Sequence, residues 1–255
     1  MSGYFAILKS KLSEGIITVH TYAAEASEEA STLLHSIADH LRTPLTAIAR
    51  TAELGTMKSE VSTTDLEAIS IHATAALELV DSYLMGLKLL QTQARLELEP
   101  VSVASTLSDT AHALDGLAKQ YGIALELDIA GKYGPVMANP KGLKAALLSL
   151  GSTLLEGGPH IAGKRLTLAV HRTPHGIVTG LYGEFEDVSA KRWRKALELH
   201  GKAAQPFKAL GGSGAGLFVA DAILQAMATR LRVGRHLHQQ GLATTLQSSE
   251  QLTFV

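Results

Sequence analysis

The first part of the chain carries two stretches in which apolar residues recur every three or four positions. This is the period of one face of an α-helix, so the first stretch predicts a helix over about residues 25–54. Its apolar stripe consists of Leu34, Ile37, Leu41, Leu45 and Ile48. Gly55 predicts a C-terminal stop, and Thr64 with Glu67 predicts a capping box that opens a second helix. The stripe of that second helix consists of Leu66, Ile69, Ala73, Leu77, Val80, Leu84 and Leu87.

Two amphipathic helices in tandem predict an antiparallel hairpin. A hairpin of about 65 residues cannot cover both apolar stripes by itself and would be marginal as a monomer. We therefore expect two copies of the chain to pair through their hairpins as a four-helix bundle.

The pattern changes after Pro100 and becomes that of an α/β domain, because apolar residues now alternate as in a strand. The predicted order is a helix over 102–121, a strand over 123–129, a helix over 140–156, strands over 165–171 and 176–182, a helix ending near 227, and strands over 230–233 and 243–255. This order predicts helices layered on a mixed sheet. We divide the chain into residues 1–97, which hold an N-terminal helix and the hairpin, and residues 98–255, which hold the α/β domain.

Composition and charge narrow the classes of function. The formal net charge of -1 and the pI of about 6.8 provide no basic field for nucleic acid phosphates. The chain has no cysteine, so it can form neither a disulfide nor a thiolate metal site, and this favours a reducing compartment. No apolar stretch reaches the roughly 18 to 20 residues that a membrane-spanning helix needs. We expect a cytoplasmic protein that binds no nucleic acid and has no membrane segment.

A glycine cluster stands directly ahead of the last predicted helix. Backbone without side chains can approach an anion closely, and a helix N-terminus presents free N–H groups, so this segment is suited to holding phosphates. It lacks the lysine of a Walker-type P-loop, and glycine-rich segments of this kind also occur as plain flexible connections. The cluster consists of Gly211, Gly212, Ser213, Gly214, Ala215, Gly216 and Leu217.

A second candidate for chemistry lies on the polar side of the first helix. Asp39 and His40 place a carboxylate beside an imidazole, and Thr43 and Pro44 follow them. A histidine on a helix surface is often only a surface residue. Pro44 costs the helix a backbone hydrogen bond, so its presence calls for a structural reason.

The two motifs together resemble those of the bacterial two-component sensor histidine kinases. The segment from Asp39 to Leu45 is similar to the family's H box, and the glycine cluster is similar to its G2 box. Further segments agree in family order: 98–101 with the connection between the two domains, 139–148 with the start of the N box, and 205–207 with the F box. The similarity runs from about Ser31 to Val255.

The resemblance implies both a fold and a function. The fold is an antiparallel helical hairpin that forms a dimeric four-helix bundle, followed by a Bergerat-type α/β sandwich. The function is ATP-dependent phosphorylation of a histidine on the hairpin and transfer of the phosphoryl group to the receiver domain of a response regulator. ATP and Mg²⁺ are the implied cofactors, with residues 211–217 on the triphosphate and no separate metal site.

The chain departs from the family at the positions closest to the chemistry. In the H box, Asp39 takes the place of the phosphoacceptor histidine and His40 takes the place of the neighbouring acid, so the two types are exchanged. A shift of one residue turns a side chain by about 100° around a helix, and in-line phosphoryl transfer depends on positioning. In the N box, Thr153 stands where the family has its magnesium-binding asparagine. The G1 box, expected at residues 183–187, has lost its glycines, and its adenine-binding aspartate falls on Gly183 unless Asp187 substitutes for it.

Three functions are therefore open from the sequence. The first is an active but divergent histidine kinase, with His40 as acceptor, Asp39 as its acid–base partner and the loop 211–216 on the triphosphate. Thr43 stands at a position that often orients a hydrolytic water in related phosphatases, but it has little use without a phosphohistidine. The second is a pseudokinase, a dimeric scaffold that docks a response regulator or another kinase through its helical hairpin and signals by conformation. The third is a phosphotransfer adaptor that receives a phosphoryl group on His40 without using ATP.

Overall fold

The computed structural model describes Ala38, residues 41–55, Met57 and residues 62–156, 161–185 and 215–249, without the side chain of Ala162. Asp39, His40, residues 205–214 and Asp187 lie outside these ranges, as does the last part of the final predicted strand. The described residues form α1 (41–55), α2 (Thr63–Thr92), β1 (Glu99–Val101), α3 (Val103–Tyr121), β2 (Ala124–Asp128), β3 (Val136–Ala138), α4 (Pro140–Glu156), β4 (Ile161–Thr173), β5 (Gly176–Phe185), α5 (Ala215–Ala226), β6 (Arg232–His236) and β7 (Gln239–Leu246).

The ends of the hairpin helices differ from the predicted ones. The capping box of α2 is formed by Ser62 and Asp65, because the Ser62 hydroxyl accepts a hydrogen bond from the Asp65 N–H at 3.1 Å and the Asp65 carboxylate accepts one from the Ser62 N–H. The prediction of Thr64 and Glu67 was wrong, since this earlier pair already satisfies the first free N–H groups. Gly55 is buried and helical, and Met57 is helical as well, so Gly55 is not the C-terminal stop of α1.

The larger sheet confirms the predicted mixed α/β architecture. Its five strands lie in the order β2-β4-β5-β7-β6. β2 runs parallel to β4, and the other neighbouring pairs are antiparallel. β1 and β3 form a separate antiparallel pair that the sequence did not predict, because three-residue strands are too short to show an alternating pattern.

The last two strands form a hairpin whose bounds differ from the predicted 230–233 and 243–255. β6 and β7 are joined by a tight turn at Leu237 and His238, and β7 ends at Leu246. β6 has little apolar alternation because it is an edge strand whose side chains are mostly half-buried or exposed. Apolar periodicity alone therefore placed it two residues too early.

The core lies between one face of the five-stranded sheet and the helices α3, α4 and α5. Inward-facing residues of the central strands are fully buried against the helices, as period-two alternation requires. They include Leu166, Leu168, Ile177, Leu181 and Leu242. The opposite face of the sheet carries a smaller buried cluster of Ala169, Tyr182 and Ala243.

The second hairpin helix packs on the outer side of this helical layer. Gly86 of α2 faces Val219 of α5 so closely that an added Cβ would lie 2.8 Å from the valine Cγ1. Glu78 of α2 forms a salt bridge of 2.6 Å with Lys144 of α4. Close glycine packing and a direct ion pair join the second half of α2 to the α/β domain.

The face of α2 that this packing buries is not the predicted stripe. The buried residues are Ala75, Ala76, Leu79, Ser82, Tyr83, Gly86 and Leu89. Leu66, Leu77 and Leu84 of the predicted stripe are 56%, 66% and 59% exposed. The single chain leaves this stripe uncovered, because small residues on the neighbouring face allow a closer approach to α4 and α5. The expectation that a second copy covers the stripe stays a prediction. Among the described helices, none is long and apolar enough to span a membrane.

Candidate functional site

Thr43, the one of the three H-box site candidates that lies within the described residues, contacts the α/β domain. Its Oγ1 lies 3.2 Å from the phenolic oxygen of Tyr121, the last residue of α3, and one of the two hydroxyls donates a hydrogen bond to the other. Burial raises the pKa of Tyr121, and the hydrogen bond with Thr43 opposes this while the charge of Glu156 adds to it. Tyr121 is therefore neutral at physiological pH and can serve as either donor or acceptor. Asp39 and His40, the other two candidates, lie outside the described residues.

Pro44 packs the first hairpin helix against its neighbours, which gives a structural reason for a proline within this helix. It is buried, and it lines a small apolar cavity between the hairpin and α3 and α4 together with His72 and Leu79 of α2. The cavity has a volume of about 10 Å³, which is at most the space of one water molecule. Burial lowers the pKa of His72, so its imidazole is neutral near pH 7. The surfaces around Pro44, His72 and Leu79 are apolar and closely packed, and they leave no room for a nucleotide.

Thr153, at the N-box position of the magnesium-binding asparagine, is only 2% exposed on α4. Its hydroxyl donates to the Ser149 carbonyl oxygen at 3.1 Å, one helical turn earlier. Threonine in a helix commonly satisfies its hydroxyl in this way. The hydroxyl hydrogen of Thr153 is therefore engaged inside its own helix, and its oxygen remains as the only metal-binding atom of the side chain.

Gly216 brings the first turn of α5 directly against this part of α4. A Cβ at Gly216 would collide with the Ser149 carbonyl oxygen and with the Thr153 hydroxyl. Ala215 and Leu217 on either side are also buried. Gly211, Gly212, Ser213 and Gly214, the remaining members of the glycine cluster, lie outside the described residues. The three described residues of the cluster thus belong to a helix that packs against Thr153.

The segment expected to hold the G1 box ends β5. Gly183 pairs with Gln240 of β7, and a Cβ at Gly183 would lie 3.2 Å from the ring of Phe185. Neither Gly183 nor Phe185 offers an acid for reading adenine, and Glu184 is exposed. Asp187, the proposed substitute, lies outside the described residues.

Sequence reasoning missed a cluster of titratable side chains on the sheet face away from the helices. The imidazoles of His171 and His236 are stacked with ring centroids 5.5 Å apart, and the Tyr182 ring lies 5.3 Å from that of His236. His236 Nε2 lies 2.8 Å from the Asp128 carboxylate. Burial, followed by the charge of His236, lowers the pKa of His171, and burial raises the pKa of Tyr182. The four residues come from four strands, so no spacing in the sequence could have indicated the cluster.

The described residues do not fit a magnesium site. Mg²⁺ prefers octahedral oxygen ligands, usually carboxylates and phosphates, whereas Thr153 offers one neutral hydroxyl oxygen that is buried between two helices. No group of three or more metal-ligating acids or histidines occurs in the ranges that the structure covers. The arrangement around Thr153 and Gly216 is that of two helices in contact.

Comparison with known proteins gives matches in structure but not in sequence. No family model matches the chain, and a search of curated proteins finds no relative. Among solved structures, full-length ShkA in complex with AMPPNP superposes with a TM-score of 0.52 at 14% identity, covering 88% of this chain and 46% of that one. The Acinetobacter baumannii histidine kinase AdeS gives 0.46 at 17% identity, with coverage of 83% and 98%. A bacterial phosphotransferase gives 0.48 at 14% identity, with coverage of 86% and 96%.

The chain has the fold of the sensor histidine kinases: a helical hairpin followed by an α/β sandwich. At 14% identity the likeness to ShkA concerns the fold. The resemblance inferred from the H and G2 boxes is confirmed at this level.

Proposed function

We propose that this protein is a two-component signalling protein that acts through its helical hairpin and has weak or no ATP-dependent histidine kinase activity. The observation that carries the proposal is the environment of Thr153. Its buried hydroxyl is bonded to the Ser149 carbonyl oxygen, and Gly216 of α5 closes the space in front of it.

A kinase of this class needs charge-assisted contacts to Mg²⁺ and adenine. Each such contact is worth about 1.5 to 3 kcal/mol, or roughly tenfold to a hundredfold in affinity. Thr153 replaces one ligand, and Gly183 removes the carboxylate that would read adenine. Two such losses would shift a micromolar nucleotide site to millimolar affinity or weaker.

The hairpin retains the features that signalling without catalysis requires. Leu66, Leu77 and Leu84 leave an apolar stripe on the outside of α2, which a second copy of the chain would cover in a four-helix bundle. The same hairpin would dock the receiver domain of a response regulator, with Thr43 beside the docking position. Homodimerisation and receiver binding are thus the two interactions of this proposal.

The test compares the natural protein with a Thr153→Asn variant in calorimetric titrations with ATP, with and without Mg²⁺. We expect no saturable binding at millimolar ATP by the natural protein. Micromolar, magnesium-dependent binding by the natural protein would contradict the proposal. If the Thr153→Asn variant binds ATP with magnesium and the natural protein does not, the absence of an asparagine at this position is the cause of the lost ATP binding.

A second experiment separates a scaffold from a phosphotransfer adaptor. A panel of purified receiver domains, phosphorylated with acetyl phosphate, is mixed with the protein and with a His40→Ala variant, and phosphate on the protein is followed by Phos-tag gels. Phosphate that appears on the natural protein and not on the variant indicates the adaptor. Receiver binding without any transfer indicates the scaffold.

One observation favours an active kinase as a second candidate. The glycine cluster leads into α5, whose first described residue is Ala215, and glycine-rich backbone ahead of a helix is suited to holding phosphates. In this case residues 211–217 hold the triphosphate of ATP, His40 accepts the phosphoryl group and Asp39 assists it. Autophosphorylation with radiolabelled ATP, lost in His40→Ala, would establish this function.

A further inference from the structure

β6 is the outermost strand of the five-stranded sheet. It is hydrogen-bonded to β7 on one side, and in the described part of the chain no strand pairs with its other side. An unpaired edge presents a row of backbone N–H and C=O groups that can accept a further strand. We call this row the β6 edge.

The β6 edge carries an excess of positive charge, with Asp128 against His236 at one end and Asp221 against the N–H of Leu231 at the other. The segment from Ala222 to Ser249 contains no aspartate or glutamate but includes Arg230, Arg232 and Arg235. All three arginines are exposed, and none forms an ion pair with another described residue. By contrast, Arg165 of the interior strand β4 is paired with Glu126 at 3.0 Å.

The two arginines within β6 lie on opposite faces of the sheet. Arg235 shares its face with Val233, which packs against the helical core, and Arg232 shares its face with Gly234, which lies next to the Tyr182 ring. A strand added to the β6 edge would therefore meet one guanidinium on each of its own faces. Carboxylates on both faces of that strand would satisfy both arginines.

We propose that the β6 edge docks an extended, acidic segment of a partner protein, which adds a sixth strand to the sheet. Backbone hydrogen bonds to β6 supply the strand pairing, and carboxylates beside Arg232 and Arg235 supply the specificity. A second copy of this chain does not fit, because pairing two β6 edges would bring like charges together.

The edge is held in place before a partner arrives. His236 at the end of β6 is anchored by the Asp128 carboxylate at 2.8 Å and by stacking on His171. A fixed edge loses little conformational freedom on binding, so more of the interaction energy appears as affinity. The proposal does not depend on ATP binding or phosphotransfer.

The experiment measures fluorescence anisotropy of a labelled six-residue peptide, Glu-Val-Glu-Glu-Val-Glu, titrated with the full chain. The test variant is Arg232→Glu with Arg235→Glu, and the matched control is Lys132→Glu with Lys141→Glu, which changes the net charge equally at exposed sites elsewhere. We expect saturable binding that weakens at least tenfold in the test variant and less than about twofold in the control. Binding should also weaken as salt is raised.

Two further probes distinguish strand addition from simple charge attraction. The same peptide with every backbone amide N-methylated has no N–H to donate from either edge and cannot pair as a strand, so it should not bind. A thymidine oligonucleotide carries the negative charge without a peptide backbone, and it should not compete. The proposal is overturned by absence of saturable binding, by equal loss in the control variant, by undiminished binding of the methylated peptide, or by effective competition from the oligonucleotide.

Discussion

Thr43 and Tyr121 are 78 residues apart in the sequence, yet their side-chain oxygens lie 3.2 Å apart. The bond joins the first hairpin helix to the end of α3, where Glu156 at the end of α4 also influences the tyrosine. Rotation of the α/β domain away from the hairpin would break this contact together with the Glu78–Lys144 salt bridge. The pair is therefore a local reporter of whether the two parts of the chain remain docked.

A double-mutant cycle of Thr43→Val and Tyr121→Phe tests this contact. Each single change removes one hydroxyl, and we expect each to lower the free energy of unfolding by about 0.5 to 1.5 kcal/mol. The double variant should cost less than the sum, because both changes remove the same hydrogen bond. Urea unfolding measures the three values, and strict additivity would mean that the hydroxyls do not interact in solution.

Gly216→Ala tests the close packing of α5 on α4. A methyl group at this position would collide with the Ser149 carbonyl oxygen, so the helices must move apart. We expect a loss of about 1 to 3 kcal/mol in the free energy of unfolding. The control is Gly134→Ala, where nothing lies within 4 Å of the added Cβ, and we expect its effect to stay within about 0.5 kcal/mol.

The expected loss of stability in Gly216→Ala also affects how ATP-binding measurements on this variant must be designed. A variant that loses ATP binding because its helices have separated says nothing about phosphate contacts. Circular dichroism and a urea midpoint should therefore accompany any binding measurement on Gly216→Ala. Equal stability of Gly216→Ala and the natural protein would contradict the packing of these two helices.

The fold could be predicted from the sequence because its main helices and strands are long and their apolar residues recur periodically. Buried residues such as Val103, Leu107 and Leu114 recur at helical spacing in α3, and Leu166 and Leu168 alternate as in a strand in β4. The short β1 and β3 and the charged edge strand β6 carry no such pattern, so they were missed or misplaced.

The contacts within the candidate site were harder to predict from the sequence than the fold, for two physical reasons. Periodicity identifies which residues of α2 are apolar, but it does not say which apolar face meets the same chain and which meets another. The face with Gly86 and Ala76 packs internally because small residues allow close approach, while Leu77 remains outside. The contact of Thr43 with Tyr121 depends on tertiary geometry, which local sequence does not encode.

The exposed leucines of α2 give a third prediction, about assembly. Leu77→Asp with Leu84→Asp would place charges in the centre of the proposed four-helix bundle, where they would be desolvated without partners. We expect the natural protein to be a dimer and this variant to be a monomer by light scattering after gel filtration. A matched variant, Leu127→Asp with Leu237→Asp, changes exposed leucines of the α/β domain and should remain dimeric. A natural protein that is monomeric at high micromolar concentration would remove the bundle from the proposal.

Acidification should weaken the fold through the cluster on the outer sheet face. Burial and the neighbouring charge of His236 lower the pKa of His171 below its ordinary 6.5, so the unfolded chain binds a proton more readily than the folded one. The stability from a neutral His171 is therefore complete above about pH 6.5 and is lost as the pH falls below it. The pKa of Asp128 is lowered by its hydrogen bond with His236, and its contribution is lost only below its ordinary 3.8.

Urea unfolding between about pH 5 and pH 8 measures this dependence. His171→Asn should reduce the loss of stability below pH 6.5. His72, whose pKa burial also lowers, adds a loss of the same sign, so the His72→Asn, His171→Asn double variant should be flatter still. An unchanged slope in His171→Asn would mean that this imidazole is as free to take up a proton in the folded chain as in the unfolded one.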